Sequence, residues 1–564
     1  MKFKDYEYIR PDVEKMESDF EELLAKFRDA KSSDEQDHII EEITKLRNNL
    51  DTMHTLVSIR HSINTLDEFY EQEQNFMDEN SPRFMNMVTK FYKELIKTPF
   101  RKELENTWGE QLFNLAQVQI ETFSEEIMDD LVKENKLSTE YDKLIASAKI
   151  YFQGEERNLS QMRPFMESKD REIRRTAAKA YMDFFAQNEV EFDRIYDQLV
   201  KTRDAMARKL GYENYIPMGY KRLSRTDYDA NMVKAYRDQV YRDLVPLVEE
   251  LKERQKNRLG LPNLYFYDEP LEFLTGNATP KGDSKWIMEN GKTMYEQLSE
   301  ETGEFINFMM EKELLDLEAK KGKRGGGYCT VIPDYKSPFI FSNFNGTSGD
   351  IDVLTHEAGH AFQTYMSMDF SLPEYKFPTL EACEIHSMSM EFLTWPWMDT
   401  FFQDEVDKYK FSHLAGAISF IPYGVTVDEF QHEVYNNPNM TPGERKEAWR
   451  NIERKYLPSK DYEDNDLLNR GGYWFRQGHI FSNPFYYIDY TLAQVCAFQF
   501  WVKNREDSKK AWEAYLNLCK AGGSLPFTKL VELAGLDNPF VDGTIRRVVE
   551  PIKSYLEKVD DSQY

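Results

Sequence analysis

Two histidines four residues apart flank a glutamate in the segment His356-Glu357-Ala358-Gly359-His360. On a helix, residues at that spacing share one face about a turn apart, so both imidazoles reach a single ion. Glu357 then stands beside the ion, where a carboxylate can take a proton from an attacking water. Two ligands and a base on one rigid element are what a zinc hydrolase requires. With nine histidines in the chain, a chance match is expected about 0.01 times. The other His-Glu pair, His432-Glu433, has no second histidine four residues on and reads as a helix-surface pair. Gly359 inside a helix costs about 1 kcal/mol against alanine, so a close neighbour is expected there.

One zinc ion per chain needs a third protein ligand, with the fourth position left open. The extended pattern with a glycine and a third histidine fails, because Gln363 and Met366 stand at those positions. A downstream carboxylate is the alternative. The segment PTLEACEIHSMSMEFLTWP reads as a helix with Thr379 near its start and Pro396 beyond its end. Glu381, Glu384, Met388 and Glu391 fall along one face of it. By spacing alone Glu381 and Glu384 are equally good ligands, and His386 points elsewhere.

The helices that must position these groups dominate the chain. Residues 1–150 hold one glycine, Gly109, and three prolines, Pro11, Pro82 and Pro99. Apolar residues recur there at three and four, as in Phe20, Leu23, Leu24 and Phe27, then Ile39, Ile40, Ile43 and Leu46. This predicts long antiparallel helices without chemistry of their own; no strict heptad is sustained. A boundary falls near residues 150–165, where Gly154 and Pro164 appear, dividing a helical N-terminal region, 1–160, from a catalytic region, 161–564. Helical pattern covers Asp170 to Gln255. A looser stretch follows, and helix returns from Lys285 to about Glu318. The segment from Lys320 to Asp350 is rich in glycine, aromatic and β-branched residues and predicts a small β-ribbon. The run Gly325-Gly326-Gly327 is expected to turn its hairpin, leaving an edge that can pair with an extended peptide. A phosphate loop is excluded, because no Lys-Ser/Thr follows the glycines. Beyond Asp350 the chain is helical almost to its end, with Ser348 and Asp350 placed to cap the His356 helix.

The 564 residues carry 72 Lys and Arg against 99 Asp and Glu, a formal charge of −27. Such a surface repels nucleic acid and anionic membranes. No apolar stretch is long enough to span a bilayer. Four cysteines are no disulfide framework, and Cys329 and Cys383 read as buried small hydrophobes. The N-terminal residues lack a signal peptide's apolar core, and the plain expectation is a reducing cytoplasm.

Three segments in order, SPFIFSNFNGTSGDIDVLTHEAGHAF, EACEIHSMSMEF and GHIFSNPFYYIDY, resemble the thimet oligopeptidase and oligoendopeptidase F family of zinc metallopeptidases. The likeness is clearest to the bacterial oligoendopeptidase F and Pz-peptidase-like branch. It implies a mostly α-helical fold of two halves enclosing a deep substrate channel, with residues 1–160 forming a channel wall. The family's E-x-x-S-x-x-x-E pattern matches Glu384, Ser387 and Glu391, which implies Glu384 as third ligand. Glu381 is then expected to orient a histidine ligand. The resemblance further implies that a histidine and tyrosines across the cleft donate hydrogen bonds to the tetrahedral intermediate. Here these are His479, Tyr490 and Tyr487, with Tyr486 after them. Phenol and imidazole suit that task, since both donate at neutral pH without a permanent charge. The expected activity is cleavage of internal bonds in short oligopeptides.

Two other readings are carried. A carboxypeptidase or dipeptidase of related fold would need a cation for the substrate's terminal carboxylate, and Arg476 could serve. A helical binding scaffold with structural zinc would need four protein ligands and no base, which Glu357 and the missing fourth ligand argue against. Neither oligomeric state nor subsite preference is legible.

Overall fold

A computed structural model describes residues 1–564 except Lys321. The fold is mostly helical, as expected. The N-terminal helices Val13–Asp29, Ser33–Ile63 and Glu68–Lys97 each start where the sequence offers a capping side chain. Asp12, Ser32 and Asp67 accept from the free amides of the first turn. Their apolar faces close on one another through Phe20, Leu24, Phe27, Ile40 and Ile43. Pro82 lies inside the third helix without ending it.

This cluster also takes in Leu372 and Tyr375, which lie between the His356 helix and the Glu384 helix. The Tyr375 hydroxyl donates to Trp108 O at 2.6 Å and accepts from Leu112 N at 2.9 Å. Arg47 pairs with Glu374 at 2.7 Å, and Lys376 donates to Asn48 at 2.8 Å. The N-terminal helices thus hold the connection that sets one catalytic-type helix against the other.

The pattern from Asp170 to Gln255 resolves into several helices rather than one run: Arg171–Gln187, Glu189–Lys209, Tyr215–Arg222, Ala230–Gln239 and Val245–Arg258. Between the last two, Val240–Leu244 forms a π-turn. Pro246 follows directly; it lacks an amide and crowds the carbonyl four residues before it, which a widened turn relieves.

The helix expected from Lys285 to Glu318 is Ser284–Leu298 and Glu300–Glu311. Ser299 caps the second piece, and Glu313, at φ 56°, ends it. Its predicted tail is instead a strand. A short hairpin, β1 (Ile150–Phe152) and β2 (Glu155–Arg157), precedes a three-stranded sheet of β3 (Leu315–Glu318), β4 (Tyr328–Ile332) and β5 (Ser337–Phe344). The strand order is β3-β5-β4, with β3 parallel and β4 antiparallel to β5; Tyr328 pairs with Phe341 and Ile332 with Ser337. Central β5 is buried along almost its whole length, which explains the unbroken apolar run in SPFIF.

The ribbon lies in the predicted segment, but its glycines do not turn it. The β4-β5 turn is Pro333-Asp334-Tyr335, closed by Lys336 in the left-handed region at φ 45°. Proline presets the first turn position, leaving the glycine run to lead into β4. A Cβ on Gly327 would lie 3.3 Å from Phe341 O and 3.6 Å from Glu357 Oε1, so the strand begins against the candidate base.

Among the described residues no helix is long and apolar enough to cross a membrane. All four cysteines are free, and burial pushes the Cys329 and Cys383 thiols up, away from nucleophile character.

Candidate active site

The helix Gly349–Met366 carries His356, Glu357 and His360. Ser348 does not cap it: its backbone is already helical, so its hydroxyl is not placed to accept from the first turn. Asp350 instead accepts from the amides of Asn345 and Gly346 at 2.9 and 2.7 Å, tightening the loop that delivers the chain from β5. Gly359 has the close neighbour its cost demanded. A Cβ there would meet His386 O and Ser387 Cα, both at 2.7 Å. The second helix, Leu380–Leu393, therefore crosses the first at backbone contact, and its carboxylates reach the histidines.

Glu384 is the one that does. Its Oε2 lies 3.2 Å from His356 Nε2 and 3.6 Å from His360 Nε2. The edge of a tetrahedron with zinc-ligand bonds of about 2.1 Å is roughly 3.4 Å, so these three atoms fit one zinc ion. Among the described residues this trio is the group of His, Cys, Asp and Glu whose ligand atoms converge enough to hold a metal. Ser387 Oγ donates to Glu384 Oε2 at 3.0 Å, and the Tyr486 hydroxyl donates to Oε1 at 3.0 Å. Burial would raise the Glu384 carboxyl, but the two histidines outweigh it and hold the group well below the usual range.

Glu391, not Glu381, is the carboxylate bonded to a candidate histidine ligand. His356 Nδ1 lies 2.7 Å from Glu391 Oε1, so with Nδ1 donating, Nε2 presents its lone pair to the site. Glu391 Oε2 lies 2.8 Å from His413 Nε2, and Trp395 Nε1 donates to His413 Nδ1 at 3.1 Å. That indole fixes the tautomer in which His413 donates to Glu391. Glu381 is fully buried, and neither oxygen has a hydrogen-bond partner among the described residues. Burial raises its carboxyl, against the pull of Arg225. His386 lies outside the converging group, as its spacing implied; it is buried, and neither ring nitrogen has a hydrogen-bond partner among the described residues. His432 is not a surface residue: it is buried, 3.0 Å from the Tyr220 hydroxyl.

Glu357 is buried, and its Oε2 has no partner among the described residues. Burial raises its pKa, against the pull of His356 and His360. A buried carboxylate oxygen without a donor, on the helix that carries two of the three converging side chains, calls for an explanation.

Opposite stand His479, Tyr486, Tyr487 and Tyr490. Their rings group tightly: His479 lies 5.5 Å from Tyr486, 5.0 Å from Tyr487 and 5.7 Å from Tyr490. The Tyr423 hydroxyl donates to Gln477 Oε1 at 2.9 Å, and Gln477 Nε2 lies 2.8 Å from His479 Nδ1. The amide then donates to Nδ1 and leaves the proton on Nε2, 3.5 Å from the Tyr490 hydroxyl. Burial lowers the His479 pKa despite Glu384, keeping the ring neutral at neutral pH. Burial raises the phenols of Tyr486 and Tyr490, which therefore remain donors. Tyr487 packs against Phe420 and Tyr423. Tyr486, placed after Tyr487 by the sequence, is the phenol that touches Glu384.

Sequence reasoning missed three supports. His413 reads as core from its apolar neighbours. Arg203 pairs with Glu134 at 2.6 Å and donates to Phe481 O, in the short turn that carries His479. Arg225, fully buried, donates to Phe485 O at 2.6 Å and Asp489 at 2.5 Å, fixing the residues on either side of Tyr486. No local spacing signals an arginine that acts more than 250 residues away.

Comparison with known proteins places these features in context. A family model described as the Peptidase M3 N-terminal domain matches residues 3–123, and one described as Peptidase family M3 matches 164–272 and 294–550. The solved structure of Pz peptidase A with an inhibitor superposes with a TM-score of 0.96 at 57% identity, covering 100% of both chains. Oligopeptidase PepF of Bacillus subtilis is 24% identical over 413 residues, 71% of this chain and 58% of that relative's length. An oligoendopeptidase F homolog of Borreliella burgdorferi is 25% identical over 408 residues, 70% of this chain and 66% of the relative.

Proposed function

The chain belongs to peptidase family M3, in the oligoendopeptidase F and Pz-peptidase branch, and from that premise we propose that it is a zinc-dependent endopeptidase of short, unstructured oligopeptides. The observation that carries the reading is the convergence of His356, His360 and Glu384 around a point beside the unpartnered carboxylate oxygen of Glu357. His356, His360 and Glu384 would hold the zinc. Bound there, it would polarise a water and a scissile carbonyl.

The chain's own groups do the rest. Glu357 takes the proton from the attacking water at its free Oε2 and passes it to the leaving amine. Burial favours that shuttle, because a carboxyl raised toward neutrality both accepts and releases a proton readily. His479, through its Nε2 proton, and Tyr490, through its hydroxyl, donate to the oxygen that gains charge. Both are preset, so little reorganisation accompanies the charge development. Tyr486 and Ser387 hold the Glu384 carboxylate in place, while Glu391 holds His356.

Substrate main chain is read by β4. Its partner in the sheet is β5, so among the described residues its outer edge carries no strand, and it starts beside Glu357. An extended peptide pairing there recognises backbone with little regard to sequence. Residues 1–160 serve as a wall of a channel that admits extended chains.

The test is metal analysis of the purified protein together with a mass-spectrometric digest. The substrates are peptides of roughly 5–20 residues blocked at both ends, since each subsite takes about 3.3 Å of extended chain. A folded protein and its reduced, unfolded form are digested beside them. One zinc per chain and internal cleavage of blocked peptides are expected. Rapid cleavage of the folded protein would refute the channel, and failure on every blocked peptide would refute the endopeptidase reading.

A further inference from the structure

Arg476 lies three residues before His479, and Tyr487, whose ring lies 5.0 Å from that of His479, is among its neighbours too. In a chain of formal charge −27, it has no carboxylate within ion-pair distance among the described residues. Its side chain is solvent-exposed, yet its neighbours are Tyr473, Tyr423, Tyr181 and Tyr487. The guanidinium donates to the Tyr473 hydroxyl at 2.7 Å and stacks 4.7 Å from that ring. Together with Lys252 and Lys460 it lines a cavity of about 220 Å³.

The two acids of that cavity are already engaged. Glu269 is held by Lys460 at 2.6 Å, and Glu249 accepts from Ser459 at 3.0 Å. What is left over is a guanidinium fork with planar donors and no anion. Arginine matches a carboxylate in two parallel hydrogen bonds, and the Tyr473 ring under the guanidinium holds its plane in place. Ring-to-ring steps of 5.0 Å from His479 to Tyr487, 5.8 Å to Tyr423 and 6.1 Å to Tyr473 bound the separation. The cavity thus lies within about six extended residues of His479.

We propose that this cavity is a carboxylate subsite, in which Arg476 holds a peptide's C-terminal carboxylate or an acidic side chain near the scissile bond. The proposal rests on the peptidase reading, and makes the enzyme one that cleaves internally while favouring an acidic group at a set distance.

Three ten-residue peptides of one uncharged sequence test it on the zinc-loaded enzyme. The first is blocked at both ends. The second has a free C-terminal carboxylate. The third is blocked at both ends but carries one glutamate, moved in turn through the ten positions on the two sides of the cleaved bond. The readout is the ratio of kcat/KM for each acidic peptide to that of the neutral one. In the wild type one acidic arm is expected to lead by about tenfold to a hundredfold, as a charged hydrogen-bonded pair supplies. The arm that leads identifies the source. Arg476→Gln should bring the ratio close to one, and Arg476→Lys should restore part of it, with Tm of both variants confirming the fold. Equal rates for all three peptides in the wild type, or a preference that survives Arg476→Gln, would overturn the subsite. If no peptide is cleaved, the peptidase reading fails instead. Calorimetric binding of the acid and amide forms to wild type and Arg476→Gln then still decides the subsite: it stands if the acid form binds more tightly and the variant loses that difference, and falls otherwise.

Discussion

Gly359 and Ser387 meet at backbone contact: a Cβ on the glycine would fall 2.7 Å from the serine's Cα. That approach brings Glu384 to the two histidines. Gly359→Ala must push the helices apart, and overpacking of this kind costs about 1–3 kcal/mol. The expected outcome is a lower Tm and weaker zinc binding. Gly416, exposed in the helix Val406–Asn436 with nothing within 4 Å of an added Cβ, provides the contrast. Gly416→Ala should be neutral or stabilising by up to about 1 kcal/mol, with zinc affinity unchanged.

The three glutamates of the second helix separate by metal titration. Glu384→Ala should abolish tight zinc binding. Glu391→Ala should weaken it by about 10–100-fold, because His356 loses the acceptor that fixes its ring. Glu381→Ala should leave zinc affinity nearly unchanged. If Glu381→Ala cost more than Glu391→Ala, the orienting role would return to Glu381.

Glu357→Gln keeps the shape of the side chain and removes its basicity. Zinc content should stay at one per chain while kcat falls by several orders of magnitude. Near-normal hydrolysis by a zinc-loaded variant would place the base elsewhere.

The tyrosines should divide by which kinetic constant they move. Tyr490→Phe removes a donor aimed at developing charge and is expected to lower kcat by about 10²-fold with little change in KM. Tyr486→Phe removes the hydroxyl on Glu384 and should act chiefly through weaker zinc affinity. Tyr487→Phe, whose ring packs on Phe420 and Tyr423, should change kcat least.

Glu134 links acid stability to the site. Burial would raise its carboxyl, but Arg203 and Arg222 hold it at about 2. A depressed acid contributes stability fully present above its unfolded value of about 4.3 and lost as pH falls toward 2. Glu134→Gln leaves Arg203 buried without its partner, at a cost of about 3–5 kcal/mol at pH 7. Urea midpoints of wild type and variant should converge between pH 4.5 and 2. Since Arg203 also holds Phe481 O, near His479, the variant's kcat should fall at pH 7 as well.

Helical class and the pairing of His356 with His360 on one helix face were legible in the sequence because both depend on local spacing. Two histidines four apart can only share a helical face, and a glycine between them points to a close neighbour whatever the rest of the chain does. The second helix was visible for the same reason, but spacing left Glu381 and Glu384 equal, and family resemblance decided between them. Tertiary structure decided what spacing cannot: which way each helix turns its polar face once packed. Packing of the Leu380–Leu393 helix against Gly359 brings Glu384 to the two histidines and Glu391 to His356, and buries Glu381 away from them without a hydrogen-bond partner among the described residues. The β-ribbon turned at Pro333 rather than at the glycines, because Pro333-Asp334-Tyr335 satisfies the turn; of the glycine run, Gly327 is the one where a Cβ would crowd a neighbour, Phe341 O at 3.3 Å. His413, Arg203 and Arg225 acquire their roles from partners 22 to 278 residues away. A buried charge or ring is positioned by whatever surrounds it, and that surrounding exists only when distant segments have packed.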